Sequence, residues 1–136
     1  MKHIFETNVY YADTDSYGVV WHGTYLRWME IGRVEMCREL GLELSKLKEQ
    51  DIVIPVTNIN IRYKSSAKVD EKIYVETTIS KMTPFTFVFS QTIKNKETDK
   101  IYTQAEVEVV AINNSGRIYR RMPETLVNAC KNAMKE

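Results

Sequence analysis

The sequence predicts a single α+β domain in which an antiparallel sheet packs against one long helix. A long segment with helical spacing of apolar residues follows the first strand, and hydrophobic residues then recur at every second position in several consecutive segments. Consecutive strands joined by short turns pair antiparallel, and a helix that is apolar on most sides must be covered. The 136 residues suit one domain with one core, residues 1–136.

The first predicted element is a strand over residues 3–11. Its alternation is partial, because apolar and polar residues are mixed on both sides of the chain. The residues expected to share one face are Phe5, Thr7, Val9 and Tyr11. A loop with Asp, Ser and Gly residues is predicted over residues 13–22.

The long helix is predicted to begin at about Gly23 or Thr24 and to end at Leu40. Thr24 is an acceptable N-cap, and Gly41 stands where a C′ glycine belongs. A glycine in a helix interior costs about 1 kcal/mol relative to alanine. Gly32 therefore indicates a close approach of the helix backbone to a neighbouring strand.

Alternation predicts the remaining strands, after a short helical turn at about residues 45–49. The apolar sets are Ile59, Ile61 and Tyr63; Ile73, Val75, Thr77 and Ile79; Phe85, Phe87 and Phe89; and Ala105, Val107, Val109 and Ala111. The three phenylalanines are expected in the core. A turn at residues 113–116 precedes a short last strand, residues 117–121, and Pro123 is expected at N1 of a C-terminal helix over residues 123–135.

Composition and charge limit the function classes. The net charge of +1 argues against nucleic acid as the main partner. We expect no signal peptide and no integral membrane segment, because no stretch approaches the roughly 20 apolar residues needed to span a bilayer. Cys37 and Cys130 lack metal-ligand spacing, which favours reduced core thiols in a cytoplasmic protein.

The sheet face that does not cover the helix, or an edge of the sheet, is also predicted to be partly apolar. The residues that indicate this are Tyr102, Val110 and Ile112. An apolar face or edge of this kind predicts a homo-oligomer.

One short segment concentrates the residues that are suited to chemistry. It reads Tyr11-Ala-Asp-Thr-Asp-Ser-Tyr-Gly-Val-Val-Trp-His-Gly-Thr-Tyr25 and leads directly into the long helix. An acidic side chain beside a helix N-terminus pairs a base with a site that stabilises an anion. That combination suits attack on a carbonyl group.

This segment, followed by Trp28, Glu30 and Arg33, resembles the 4-hydroxybenzoyl-CoA thioesterase family of hotdog-fold proteins. More narrowly, it is similar to the YbgC-like branch of acyl-CoA thioesterases through its Asp-x-x-Gly-Val-Val-x-His-x-x-Tyr pattern. The resemblance implies a hotdog fold, in which the sheet wraps around the long helix, and an acyl-CoA substrate. It also implies a homotetramer or homodimer whose pockets take side chains from two subunits, with no cofactor and no metal.

The resemblance carries roles to individual positions. Asp15 matches the catalytic carboxylate of the family, and His22 matches the histidine that the YbgC-like branch has at the helix entry. The backbone N–H groups near His22 and Gly23 match the oxyanion site. Asp13 lies outside the pattern and is interpreted as local structure. The substrate-binding positions implied in this way are Gly18, Val19, Gly23 and Tyr25.

Thioester chemistry is feasible with so few groups. A thiol with a pKa of about 8.5 is a good leaving group, so a Ser–His–Asp triad is not required. Asp15 either activates water as a general base or attacks directly to form a mixed anhydride. His22 either orients water or substrate or assists proton transfer, and the sequence leaves these alternatives open.

The sequence is compatible with several other functions. Hydrolysis of acyl carrier protein thioesters, non-catalytic binding of acyl thioesters and a hotdog dehydratase are alternatives. The segment from Asp13 to Gly18 resembles the start of a calcium-binding EF-hand loop, but Tyr17 stands where an oxygen ligand is needed and Thr24 stands where a bidentate glutamate is needed. The spacing of Glu30 and Arg33 favours a structural, buried ion pair over a role in substrate binding.

Several basic residues are available to bind the phosphates of CoA. They are Arg62, Lys64, Lys68, Arg117, Arg120 and Arg121.

Overall fold

The computed structural model describes residues 1–135, and these form one five-stranded sheet with three α-helices. The elements are β1 (His3–Asn8), α1 (His22–Glu39), α2 (Leu44–Glu49), β2 (Val56–Tyr63), β3 (Lys72–Met82), β4 (Thr86–Asn95), β5 (Ile101–Val110) and α3 (Glu124–Met134). The strand order is β1-β3-β4-β5-β2, and every neighbouring pair is antiparallel. The predicted α+β architecture, with a sheet around one dominant helix, is confirmed.

Helix α1 lies on one face of the sheet and bridges two clusters of buried residues. Near its start, Trp28 and Met29 pack in a cluster with Ile73, Val75 and Ile93. Near its end, a second cluster joins the helix to β4 and α3 through Met36, Cys37, Phe87, Phe89 and Leu126. The core therefore runs the length of α1 and fixes its first turn relative to the sheet.

Gly32 allows α1 to approach the sheet closely, as its position in the helix predicted. A Cβ atom at Gly32 would lie 2.9 Å from Thr77 Oγ1, 3.1 Å from Gln91 Nε2 and 3.2 Å from a methyl carbon of Val75. Gln91 is 1% exposed and donates hydrogen bonds from Nε2 to Met29 O and Thr77 Oγ1, both at 2.9 Å. A side chain at position 32 would displace this hydrogen-bonded contact.

Replacing Gly32 by Val is expected to destabilise the protein by about 1–3 kcal/mol, because overpacking forces neighbouring groups to shift. The free energy of unfolding measured in urea checks this. Arg38→Gln, at an exposed position of the same helix, is the control and should stay within about 0.5 kcal/mol of the parent. A Gly32→Val protein as stable as the parent would mean that this contact does not constrain the packing.

The predicted N-cap of α1 is wrong, whereas the predicted glycine after its C-terminus is confirmed. The helix begins at His22 with Trp21 as N-cap, which makes no side-chain capping bond. The Thr24 N–H is already bonded to Trp21 O at 2.9 Å, and its hydroxyl donates to Asp13 O at 3.1 Å. Gly41 follows the helix with φ +82°, the left-handed conformation expected of a C′ glycine.

Three other predicted elements differ in extent. The first strand ends at Asn8 rather than continuing to residue 11, because the Asp13 carboxylate accepts the Tyr10 N–H at 2.9 Å and turns the chain into a 3₁₀ turn. Residues 117–121 do not form a strand, since this segment makes only a single bridge, from Ile118 to Ile112. The last helix begins at Glu124, one residue after Pro123.

The exposed apolar residues are not the ones that the sequence predicted. Phe85 is 52% exposed in the turn before β4, whereas Phe87 and Phe89 are each 1% exposed. Tyr102 and Val110, expected on an oligomer surface, are buried within the chain at 1% and 8%. Apolar exposure occurs instead along the edge strand β2, at Val56, Ile59 and Tyr63.

Candidate functional site

The loop before α1 folds tightly around Asp15. The Asp15 N–H donates to Val19 O at 2.8 Å, and the Gly18 N–H donates to Asp15 O at 3.1 Å. Gly18 has φ +82°, which a residue with a side chain adopts at a cost. Val19 also forms a β-bridge with Lys68, so the loop is tied to the chain segment that follows β2.

The Asp15 carboxylate is partly buried and keeps one oxygen free of protein partners. Its Oδ1 accepts the Tyr17 N–H at 2.8 Å, while Oδ2 accepts no hydrogen bond from any of residues 1–135. The side chain lines a pocket of about 340 Å³. The pocket is lined by Asp15, Val19, Val20, His22, Tyr25, Tyr63, Lys64, Ser65 and Ser66.

The start of α1 contributes backbone donors to this region. The N–H groups of His22 and Gly23 belong to the first helical turn and have no acceptor within the described part of the chain. The positive end of the helix dipole lies at the same place. A Cβ atom on Gly23 would overlap the Trp21 ring, so the indole lies against the backbone of Gly23.

Two tyrosines hold the helix start against the rest of the pocket. The Tyr25 hydroxyl accepts the Ala67 N–H at 2.9 Å, and the Tyr63 hydroxyl donates to His22 O at 3.0 Å. Burial raises the pKa of Tyr25, and the hydrogen bond from Ala67 acts against that increase. Tyr25 therefore stays neutral near pH 7 and acts on the pocket through its ring and its fixed position.

A partly buried network fixes the segment that carries Lys64 to Lys68. The Glu71 carboxylate accepts the Lys68 N–H at 2.5 Å and the Tyr102 hydroxyl at 3.0 Å. The Asn95 side-chain amide donates to both Glu71 and Tyr102, at 3.2 and 3.0 Å. This network positions one wall of the Asp15 pocket from the side of β5.

Asp13 lies close in sequence to Asp15 but has a different environment. It is 6% exposed, and its carboxylate accepts the Tyr10 N–H at 2.9 Å and an N–H of Arg27 at 3.3 Å. Its backbone oxygen accepts the Trp21 N–H at 2.9 Å. Asp13 thus joins the end of β1 to the start of α1, in keeping with its interpretation as local structure.

Asp13→Ala is expected to reduce stability by about 1–3 kcal/mol, because it leaves partly buried donors without their acceptor. Thermal or urea unfolding measures this loss. Asp13→Asn serves as the milder comparison, since its amide oxygen still accepts one of the two hydrogen bonds. Unchanged stability in Asp13→Ala would contradict the structural role assigned to this carboxylate.

Five of the residues singled out in the sequence meet in one pocket: Asp15, Val19, His22, Tyr25 and Lys64. Gly18 and Gly23 shape the adjoining backbone rather than line the pocket. The sequence reasoning missed the wall formed by Tyr63, Ser65 and Ser66. The only available signal was a run of polar residues directly after a predicted strand.

The predicted buried ion pair between Glu30 and Arg33 is absent from the described residues. Glu30 is exposed, and no carboxylate oxygen lies within 4.0 Å of Arg33. Arg33 is partly buried instead, and its Nη1 donates to Gln91 Oε1 at 3.0 Å. Both side chains line a second cavity of about 220 Å³, and Cys37 lines it too.

Two kinds of feature are absent from residues 1–135. No helix in this part of the chain is long and apolar enough to cross a membrane. No group of three or more His, Cys, Asp or Glu side chains in it is arranged to hold a metal ion.

Comparison with known proteins gives consistent matches. Residues 17–102, more than half of the chain, match the family model described as Thioesterase superfamily. The chain is 32% identical to the Escherichia coli acyl-CoA thioester hydrolase YbgC over 119 residues, 88% of each protein. It is 38% identical to the Bacillus subtilis protein YneP over 90 residues, 66% of the chain and 65% of that relative. The fold matches that of Slr0204, a 1,4-dihydroxy-2-naphthoyl-CoA thioesterase from Synechocystis, with a TM-score of 0.90, 20% identity and full coverage of both chains.

Proposed function

Because the chain belongs to the thioesterase superfamily and has its hotdog fold, it is a thioester hydrolase, and we propose that it hydrolyses acyl-CoA thioesters at the pocket lined by Asp15. The products are a carboxylate and free CoA. The resemblance to the YbgC-like branch predicted the same activity, and the relative named YbgC is described as an acyl-CoA thioester hydrolase.

One observation supports this site above others. Asp15 and His22 line the same pocket, and Gly23 follows His22 in the first turn of α1. Within residues 1–135, Asp15 Oδ2 and the N–H groups of His22 and Gly23 have no hydrogen-bond partner. A thioester carbonyl that accepts a hydrogen bond from His22 or Gly23 N–H would have its carbon close to the carboxylate. Negative charge that develops on the carbonyl oxygen is then stabilised by fixed donors and by the helix dipole.

In this proposal Asp15 takes one of two roles. As a general base it removes a proton from water while the water attacks the carbonyl carbon. As a nucleophile it attacks that carbon itself and forms an anhydride, which water then hydrolyses. In both routes the C–S bond breaks, the thiolate departs, and a proton from water completes the CoA thiol. The exposed His22 imidazole is available to orient water or to transfer that proton.

The remaining positions have supporting roles in the proposal. Val19 and Tyr25 contact the acyl end of the substrate, and Gly18 and Gly23 keep the backbone open around the thioester. Lys64, which lines the pocket, and Lys68, which bridges to Val19, are the cations best placed to meet CoA phosphates. The other basic residues are candidates for binding CoA phosphates only because they are positively charged.

The proposed function is tested by release of free thiol from a panel of CoA thioesters of different acyl groups. Carrier-protein thioesters of the same acyl groups form a second arm, and binding measured without turnover forms a third. Faster release from CoA thioesters supports the proposal, whereas faster release from the carrier protein favours that alternative. Tight binding with no release from any thioester would contradict hydrolysis and favour a non-catalytic binder.

We also propose a homodimer formed across β2, either alone or as half of a homotetramer. Within residues 1–135, strand β2 is an edge strand that pairs with β5 alone, and Val56, Ile59 and Tyr63 are 39–44% exposed along it. An unpaired edge with apolar side chains readily pairs with a second chain. Sedimentation velocity should report a mass of two or four chains, and a monomer at assay concentrations would contradict this assembly.

A cytoplasmic location is part of the same proposal. Cys37 and Cys130 are free and buried, and burial raises the pKa of their thiols to about 11 and about 12. Free, unreactive thiols of this kind suit a reducing compartment.

A further inference from the structure

Tyr63 has a fixed position beside the start of α1. Its hydroxyl donates to His22 O at 3.0 Å, and its ring meets the ring of Tyr25 edge-on, with centroids 5.7 Å apart. Tyr63 is the last residue of β2 and pairs with Thr103 on β5. The backbone N–H groups of the next two residues both donate to Tyr102 O, at 2.8 and 3.2 Å. Strand pairing, ring packing and these two hydrogen bonds therefore hold the hydroxyl in place.

The acceptor of the Tyr63 hydrogen bond belongs to the same peptide group as a proposed oxyanion donor. The carbonyl of His22 and the N–H of Gly23 are the two ends of one planar trans unit. In a helix the carbonyl points toward the C-terminus and the N–H toward the N-terminus. The Tyr63 hydroxyl therefore binds the far side of this peptide, and the Gly23 N–H, which has no acceptor within residues 1–135, stays free for a substrate oxygen.

A hydrogen bond to a peptide oxygen changes the N–H at the other end of the peptide. It draws electron density toward the oxygen, which makes the N–H a stronger donor, and bonds in such a chain strengthen one another by about 10–30%. It also fixes the plane of the peptide. Donors whose direction is fixed before the reaction stabilise developing charge without the cost of reorientation.

The Tyr63 hydroxyl is a lasting donor near neutral pH. Burial raises its pKa above the ordinary tyrosine value, so the hydroxyl keeps its proton under assay conditions. A tyrosine hydroxyl has a single proton to donate, and that of Tyr63 is directed at His22 O. The hydroxyl therefore acts through the peptide and does not donate to a thioester oxygen at the same time.

We infer that Tyr63 is a positioning residue for the reaction. Its hydroxyl orients and polarises the peptide between His22 and Gly23, so that the Gly23 N–H binds the thioester oxygen most strongly when negative charge develops on it. The role belongs to the hydroxyl and not to the ring, which makes phenylalanine the informative substitution. This inference rests on the proposed thioesterase function.

Tyr63→Phe should lower kcat for CoA thioester hydrolysis by about two- to tenfold, the effect of losing one neutral hydrogen bond. KM should change less, because the interaction is strongest in the transition state. Tyr119→Phe is the matched control: this hydroxyl donates to the backbone oxygen of Asp51 at 2.6 Å, and Tyr119 does not line the Asp15 pocket. The control should keep the kcat of the parent, and urea unfolding of both variants verifies that they are folded.

An NMR measurement tests the polarised peptide without substrate. The chain has two histidines, and His22 is the one followed by a glycine. Labelling with carbonyl-¹³C histidine and ¹⁵N glycine therefore selects the peptide between His22 and Gly23 in a carbonyl–amide correlation spectrum. Loss of the hydrogen bond in Tyr63→Phe should move the His22 ¹³C and Gly23 ¹⁵N resonances to lower frequency. Tyr119→Phe should leave both resonances at their parent positions.

Three results would overturn the role of Tyr63. One is a Tyr63→Phe protein with the kcat of the parent. The second is a lower kcat with unchanged His22 and Gly23 resonances, which would mean that the hydroxyl acts on the substrate directly. The third is a higher KM with unchanged kcat, which would assign the hydroxyl to ground-state binding.

The inference and the proposed function fail in different ways. Thiol release that is equally fast in the parent and in Tyr63→Phe overturns the role of Tyr63 alone. Absence of release from every CoA thioester overturns the proposed function and, with it, this role.

Discussion

Asp15→Asn is expected to lower kcat for acyl-CoA hydrolysis by about 10²–10⁴, the usual contribution of a general base. The amide neither accepts a proton from water at neutral pH nor attacks the carbonyl carbon. Its oxygen still accepts the Tyr17 N–H that Asp15 Oδ1 accepts at 2.8 Å, so the loop should keep its conformation. Initial rates of thiol release on the best substrate, together with urea unfolding, measure both effects.

Asp13 supplies the matched comparison for this variant. Substitution there should reduce stability more than turnover per folded molecule, because its carboxylate links Tyr10 and Arg27. Substitution of Asp15 should instead reduce turnover per folded molecule more than it reduces stability. An Asp15→Asn protein with full activity would remove this carboxylate from the mechanism, and one that loses activity only because it unfolds would make Asp15 a loop residue.

His22→Pro is expected to reduce kcat by about 10²–10³ relative to His22→Ala, the loss that follows removal of one oxyanion donor. Both variants lack the imidazole, but only proline lacks the backbone N–H. Proline is well tolerated at the first position of a helix. Trp21, with φ −63° and ψ 137°, already has the extended conformation required before proline.

Unfolding curves of the two His22 variants form the control for this comparison. Similar stability with very different kcat would locate the effect in the missing N–H group. Equal kcat in the two variants would mean that the His22 N–H does not stabilise the transition state, and the Gly23 N–H would then have to act alone.

The architecture was predictable because each of its elements carries a local pattern. The alternation of Ile73, Val75 and Thr77 predicted β3, and the apolar spacing of α1 predicted a long helix. The expectation that this helix is buried on most sides is wrong, because only the face that packs on the sheet is buried. Gly32 signalled a close contact because a helix-interior glycine is costly. The segment around Asp15 was recognisable because its polar residues stand directly before a helix.

The rest of the site depends on contacts between residues that are distant in sequence. Tyr63 reaches His22 across 41 positions, and Tyr25 reaches Ala67 across 42. Neither contact leaves a trace in local periodicity, so the wall after β2 was not predicted. Thr24 illustrates the opposite error, in which a local signal misleads. Threonine is a good N-cap residue, but the hydroxyl of Thr24 donates to Asp13 O and does not cap the helix.

Arg33 marks a limit of spacing arguments on a helix. Three positions separate it from Glu30, which is compatible with an ion pair. The partner that Arg33 actually takes depends on which side chains of the sheet lie beside it. Gln91 lies beneath Gly32 and accepts the hydrogen bond from Arg33. The burial of Gln91 between β3 and α1 is a property of the fold and not of either local sequence.

The most direct measurement of carbonyl polarisation beside Asp15 is the infrared spectrum of a carbonyl-¹³C-labelled acyl-CoA bound to Asp15→Asn, in which hydrolysis is slow. If the start of α1 donates to the thioester oxygen, the labelled band lies at lower wavenumber than in the Asp15→Asn, His22→Pro double variant. A band at the same position in both bound states, and in free acyl-CoA, would contradict an oxyanion site at the helix start.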